Sequence, residues 1–381
     1  GKKMTIMTSQ QTSRIEELKK AGYKVVGYYC CYIPVELFTA ARVIPYRILG
    51  NPKEQISQAD EVLEGVMCPW VRNTLDQALK GNYSFLDGMV VPHVCDAVQR
   101  MFGFWRHYLK LSYNQYLDIP HVFSASSFKF FAQELAHFKE GLEGFIGYEI
   151  TDKELRNAIE LHNENRRLVQ ELYSLRKADP SPVSSVEVLR LLKAGLQGMA
   201  VEDFNQLLRD SIAEIKSRLA PKEEAKPRLL LSGCVVDDEP LFQLAEDSGA
   251  HIVMDDLAVG TRTFWFQVKP GKDLMASLSR AYLEGVRCPR TVVSTITTPY
   301  KERLGERFSY LTDYAKEYNV KGFILNLLRY CDCHEFDFPD LRDHLQSLGY
   351  PVLILDDDYT VGSIQRVKTR IEAFVETMKT E

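Results

Sequence analysis

Two short apolar runs, one in each half of the chain, close on the same dipeptide: Met89-Val90-Val91-Pro92-His93-Val94-Cys95-Asp96 and Phe323-Ile324-Leu325-Asn326-Leu327-Leu328-Arg329-Tyr330-Cys331-Asp332. Both read as buried strands, and in open α/β sheets ligands collect in the crevice outside the carboxyl ends of the strands. A cysteine repeated at that point predicts two α/β lobes facing one site, with sulfur placed for chemistry rather than packing. Cys68, in Val66-Met67-Cys68-Pro69-Trp70, can add a third sulfur from the first half. Three cysteines converging on an interlobe cleft would suit an iron–sulfur cluster with one iron left free of protein sulfur.

The rest of the chain supports that division. A short amphipathic helix (Ile15 to Ala21) stops at Gly22, and a second is entered at Pro34 with Glu36 in its first turn. Val25 to Tyr29, Val43 to Leu49, Leu86 to Val91 and His121 to Ser124 read as strands, most of them followed by a helical segment, the alternation of a helix-covered parallel sheet. From Ser127 to about Leu219 the period is helical, with Leu161, Leu168, Leu172 and Leu175 as an apolar stripe and Pro180-Ser181-Pro182 as a break. The alternation returns at Arg228 to Cys234, Ile252 to Met254, Phe323 to Leu327 and Pro351 to Leu355. The expected units are a first α/β lobe (1–126), a mainly helical linking region (127–225) and a second α/β lobe (226–381). In both lobes a strand leads into a turn with cysteine (Gly27 to Cys31; Gly233-Cys234), and a later strand ends in Cys-Asp.

At 381 residues two or three domains are expected. A formal net charge of −5 without a long basic run argues against nucleic acid, since the charged stretch Lys216 to Arg228 mixes both signs and reads as a solvated linker. No apolar stretch approaches the length of a membrane span and no signal-peptide core is visible, so a cytoplasmic protein is expected. In that reducing compartment the eight cysteines are free thiols, metal ligands or redox groups. The opening Gly1 to Met7 carries no structural weight.

Taken singly, a cysteine is most often a small buried hydrophobe; joint placement changes that. Cys68 precedes a helix starting near Trp70, where the dipole favours a thiolate. Zinc competes, but closely spaced CxxC pairs are absent. In an extended Cys331-Asp332-Cys333-His334 segment the two sulfurs would stand roughly 6–7 Å apart, so Cys331 is taken as ligand and Cys333 as bystander. The Cys30-Cys31 pair is a spare ligand, a redox pair or packing, with packing favoured, and Cys234 and Cys288 are assigned to packing. Asp255, Asp256 and Arg262 form either a capped helix with a surface ion pair or a polar wall of the cleft. No GxGxxG or GxxxxGK[ST] motif occurs at a strand-to-helix junction, so any ATP is handled elsewhere.

Over nearly its whole length the chain resembles the 2-hydroxyacyl-CoA dehydratase and benzoyl-CoA reductase family. The likeness is carried by Gly27 to Leu37, Cys68, Val91 to Asp96, Asp255-Asp256-Leu257 and Arg329 to Asp332 with Asp337-Phe338-Pro339. It implies two flavodoxin-like lobes and a 4Fe-4S cluster held by Cys68, Cys95 and Cys331. It also implies a related second subunit, a separate ATP-hydrolysing activator and an acyl-CoA or aromatic-CoA substrate. Arg42, where the family often has glycine, and Cys333, where many members have proline, depart from the pattern. A non-catalytic electron-relay subunit and a zinc-stabilised binding protein remain as alternatives. With net charge −5 the overall field does not draw in a polyanionic CoA, so local cations must, and Arg42, Arg47 and Arg262 are the candidates.

Overall fold

The structure is a computed structural model describing residues 13–218, 226–237, 239–291 and 299–379. The opening segment Gly1 to Met7 and the middle of the charged stretch 216–228 lie outside these residues. Helix α1 (residues 13–20) ends at Gly22, whose φ of 88° needs no Cβ accommodation. Then follow β1 (Lys24–Tyr28), α2 (Val35–Ala40), β2 (Val43–Arg47), α3 (Pro69–Leu79), β3 (Gly88–Pro92), α4 (Asp96–Tyr108) and β4 (Tyr113–Leu117). All pairings in this sheet are parallel and the order is β2-β1-β3-β4.

The fourth strand corrects the expectation of a strand at His121 to Ser124. Asn114 and Gln115 make β4 look polar, and the sheet tolerates them because β4 is a half-buried edge strand. Residues 121–124 form the loop beyond it, where Ser124 accepts a hydrogen bond from the Ser127 backbone N–H and so caps the next helix.

Helices α5 (Ala125–Ile146), α6 (Asp152–Ser174), α7 (Ser185–Leu196) and α8 (Val201–Ser217) make up the linking region, and α6 and α7 both begin with complete capping boxes. Leu155, Ala158 and Ile159 of α6 belong to the apolar core of the first lobe, whereas Val169, Leu172 and Tyr173 belong to that of the second. One helix thus spans both cores. Its buried face is partly polar: Arg166 pairs with Glu36 at 2.6 Å, and His162 bonds Thr39 at 2.8 Å.

The second lobe repeats the plan of the first. It runs β5 (Arg228–Gly233), α9 (Glu239–Asp247), β6 (His251–Asp256), α10 (Thr261–Phe264), α11 (Leu274–Gly285), α12 (Tyr300–Glu317), β7 (Gly322–Leu328), α13 (Asp332–Ser347), β8 (Val352–Asp357) and α14 (Val361–Lys379). This sheet is also all parallel, in the order β6-β5-β7-β8. Helix α11 crosses back: Leu274, Leu278, Tyr282 and Leu283 pack in the core of the first lobe, and Tyr282 bonds Glu36 at 2.7 Å. The α/β architecture with two flavodoxin-like lobes is therefore as the sequence led one to expect. In each lobe the chain leaves the central strand pair, β1/β3 or β5/β7, in opposite directions, which opens a crevice at their carboxyl ends.

Candidate functional site

Cys68, Cys95 and Cys331 each occupy the residue that begins a helix, α3, α4 and α13 respectively. The first turn of a helix leaves N–H groups without intrahelical partners and carries the positive end of the dipole, which favours negative charge on each sulfur, though burial outweighs it at Cys68 and Cys95. The Cys95 sulfur accepts from the Val98 N–H at 3.5 Å. Before Cys331 the backbone passes through a left-handed residue, Tyr330 (φ 58°), and another, Cys30 (φ 61°), follows β1. Such strained residues persist where the surroundings fix them, and here they turn cysteine-bearing loops off the strand ends.

The three sulfurs lie within each other's electrostatic reach. Burial, and then the negative charge of Cys331, push the Cys68 thiol up to about 12. Cys95 is raised by burial and then by Cys333, Cys331 and Cys68. Cys331 moves the opposite way, because the Cys234 S–H donates to it and His334 adds a second hydrogen bond, which together outweigh burial.

Cys234 and His334 are site residues that sequence reasoning misses. Cys234 follows β5 as Cys30 and Cys31 follow β1, so the available signal is the repeated strand-to-cysteine turn. Among the described residues, Cys234, Cys331 and His334 present ligand atoms all within 4.8 Å of one another. His334 is buried, with Nδ1 3.4 Å from the Cys331 sulfur and Nε2 3.4 Å from a guanidinium nitrogen of Arg262. A guanidinium only donates, so Nε2 accepts and the ring proton sits on Nδ1, aimed at Cys331. His334 in this state is a hydrogen-bond donor to sulfur, with no lone pair left for a metal.

The Cys331-Asp332-Cys333 segment is not extended: α13 starts at Asp332 and places Cys333 in its first turn. Burial, followed by the charges of Cys288 and Cys331, raises the Cys333 thiol to about 12. Cys30 and Cys31 hold their sulfurs 3.8 Å apart. Cys30 is lowered to about 6, first by the hydrogen bond from Cys31, against burial, and then by Arg47 and Arg290. Every one of the eight cysteines is unpaired.

The three arginines part company. Arg42 is exposed, 4.0 Å from Glu154, and has φ 52° just past the end of α2; glycine fits that helix-stop position without strain. Arg262 is buried, holds Asp256 through two bonds of 2.9 and 2.8 Å, and donates to the Gly233 carbonyl. It is neither a surface ion pair nor open to ligand, but an anchor behind His334. Arg47 is 1% exposed, lies over the Tyr28 ring and donates one bond to the Ala258 carbonyl, while its Nε and one terminal nitrogen have no partner. It lines a cavity shared with Cys31, His162, Arg166, Phe264 and Tyr282.

The profile of the family described as 2-hydroxyglutaryl-CoA dehydratase, D-component, matches residues 30–378. A benzoyl-CoA reductase subunit of Thauera aromatica is 29% identical over 360 residues, 93% of this chain and 91% of that protein. The (R)-phenyllactyl-CoA dehydratase beta subunit of Clostridium sporogenes is 25% identical over 96% of this chain and 94% of its own length. For the (R)-2-hydroxyglutaryl-CoA dehydratase beta subunit of Acidaminococcus fermentans the identity is 23%, over 98% and 97%.

Proposed function

The chain belongs to the 2-hydroxyglutaryl-CoA dehydratase D-component family, whose members named above are enzyme subunits, and on that premise we propose that it is the iron–sulfur subunit of a low-potential enzyme acting on CoA thioesters. The observation that supports this is that Cys68, Cys95 and Cys331, from three separated segments, each begin a helix and lie near enough to act electrostatically on one another. An all-sulfur donor set of three, from three separated segments, fits a 4Fe-4S cluster with one iron open. When bound, such a group supplies a strongly reducing electron and a site for a substrate oxygen.

The chain's own residues do the rest. The donors around Cys331 favour negative charge on its sulfur, and the buried Asp256–Arg262 pair backs the His334 ring. Arg47 offers two buried N–H groups without partners, which an acyl-CoA oxygen would satisfy. The single-ion zinc reading finds some support in the compact Cys234-Cys331-His334 group, but the tautomer set by Arg262 removes its nitrogen ligand.

The sequence carries no recognisable phosphate-binding loop, so ATP would be spent by a separate activator, and a related second subunit would complete the enzyme in the cytoplasm. No helix among the described residues is long and apolar enough to cross a membrane. Anaerobic purification with iron, sulfide and zinc quantified tests the reading: Cys68→Ala, Cys95→Ala and Cys331→Ala should each lose most of the iron. Full iron in all three variants, or zinc in its place, would sink the assignment.

A further inference from the structure

Arg47, the last residue of β2, brings its guanidinium to the carboxyl end of the first sheet, beside Tyr28 at the end of β1. It is buried and forms no ion pair among the described residues, and its bond to the Ala258 carbonyl is a long 3.3 Å. The cavity it lines has no aspartate or glutamate in its walls. The other basic groups there are already answered: Arg166 pairs with Glu36 at 2.6 Å, and burial lowers His162 to about 4 and so keeps it neutral. The neighbours supply no anion either. Tyr28, whose ring centre lies 5.4 Å from the guanidinium, stays a phenol because burial outweighs the pull of Arg47. Cys30 is lowered to about 6, first by Cys31, yet makes no bond to Arg47, whose Nε and one terminal nitrogen have no partner.

A buried charge is normally paired and a buried N–H normally satisfied. A fully buried guanidinium with neither, facing a cavity without acids, is a site for an anion. The walls decide which one. Val35, Leu196, Met199, Phe204 and Phe264 are apolar, which suits a short hydrocarbon stem and does not suit the many polar oxygens of a phosphate. We infer that the cavity at Arg47 is a subsite for a carboxylate carried on a short apolar stem. A thioester oxygen is neutral, so it satisfies an N–H and leaves the charge unanswered. The carboxylate has two sources: a free short acid, or the far end of an acyl chain whose thioester lies by the cysteines. Cys31 lines the same cavity, which brings it up to the cysteine-bearing turn after β1. The acyl-chain source rests on the proposed function; the free acid does not.

The full chain, purified anaerobically, is titrated with butanoate and with butanamide, its uncharged counterpart, while the thermal midpoint is followed. Butanoate should raise the midpoint saturably and butanamide should not. Arg47→Met should weaken butanoate binding by about tenfold or more, with a cooperative transition showing that the variant folds. Met199→Trp fills the apolar wall, leaves Arg47 in place and should weaken it too. Calorimetry with succinyl-CoA and butanoyl-CoA separates the sources. A succinyl-CoA advantage that Arg47→Met abolishes assigns the carboxylate to an acyl chain; equal thioester affinities beside an Arg47-dependent butanoate response assign it to a free acid. If butanoate and butanamide act alike and succinyl-CoA has no advantage, or if Arg47→Met responds as the wild type does, the subsite is overturned. Failure of both thioesters to bind, with the butanoate response intact, would count against the proposed function and leave the subsite standing.

Discussion

At His334 two contacts decide the role of a ring that a single-ion reading would make a ligand. Arg262 occupies Nε2, and the Nδ1 proton points at the Cys331 sulfur 3.4 Å away. A hydrogen bond to a ligand sulfur stabilises the more negative, reduced form of an attached cluster and so raises its potential. His334→Phe keeps the ring volume and removes the donor, and we expect a lower midpoint potential in an EPR-monitored redox titration, at unchanged iron content. An unaltered potential would mean the bond has no electronic effect. The sequence made Cys68, Cys95 and Cys331 legible because each sits at a strand-to-helix junction with a recognisable neighbour, proline or aspartate. It hid His334 and Cys234, whose meaning comes from contacts between segments far apart: Arg262 with His334, and the two central strands β5 and β7 that set Cys234 beside Cys331.

The elements were legible wherever apolar periodicity set them, as in β1, β3, β5 and β7, the strands buried in the middle of each sheet. Edge strands are paired on one side only, and β4, with Asn114 and Gln115, shows how little apolar signal such a strand needs. The Leu161, Leu168, Leu172 and Leu175 stripe located α6 but misjudged its face: of the four, Leu172 is fully buried, while His162, Asn165 and Arg166 take buried places through paired polar contacts. The turn from β6 into α10 depends on Gly260, where a Cβ would meet the Asp255 carboxylate at 2.1 Å, the same carboxylate that accepts from the Thr261 N–H at 3.0 Å. Gly260→Ala should therefore cost about 1–3 kcal/mol, read as a lower urea midpoint. Because Arg262 lies on this turn, the variant should also disturb the His334 position; wild-type stability would show that the turn relaxes freely.

Across the whole molecule, α6 and the crossing helix α11 tie the lobes through buried polar groups, Arg166–Glu36–Tyr282 among them. His162 belongs to this seam, and burial, with Arg166 adding to it and Glu36 opposing, lowers its pKa from 6.5 to about 4. Between those values the unfolded chain holds a proton at His162 that the folded chain refuses. Its contribution to stability is complete above pH 6.5 and is lost as the pH falls toward 4, by up to about 1.4 kcal/mol per pH unit. Denaturation midpoints from about pH 7.5 to 3.5, a range that brackets this loss, should fall less steeply for His162→Gln than for the wild type, and parallel slopes would contradict this. A last consequence follows from the origin of the sulfurs. Cys68 and Cys95 come from the first lobe and Cys331 from the second, so whatever they grip together rivets the two lobes, and α6 and α11 are among the straps that remain when the rivet is gone. Damage by oxygen would then be mechanical as well as chemical, giving slack to the cleft in the same event that empties it.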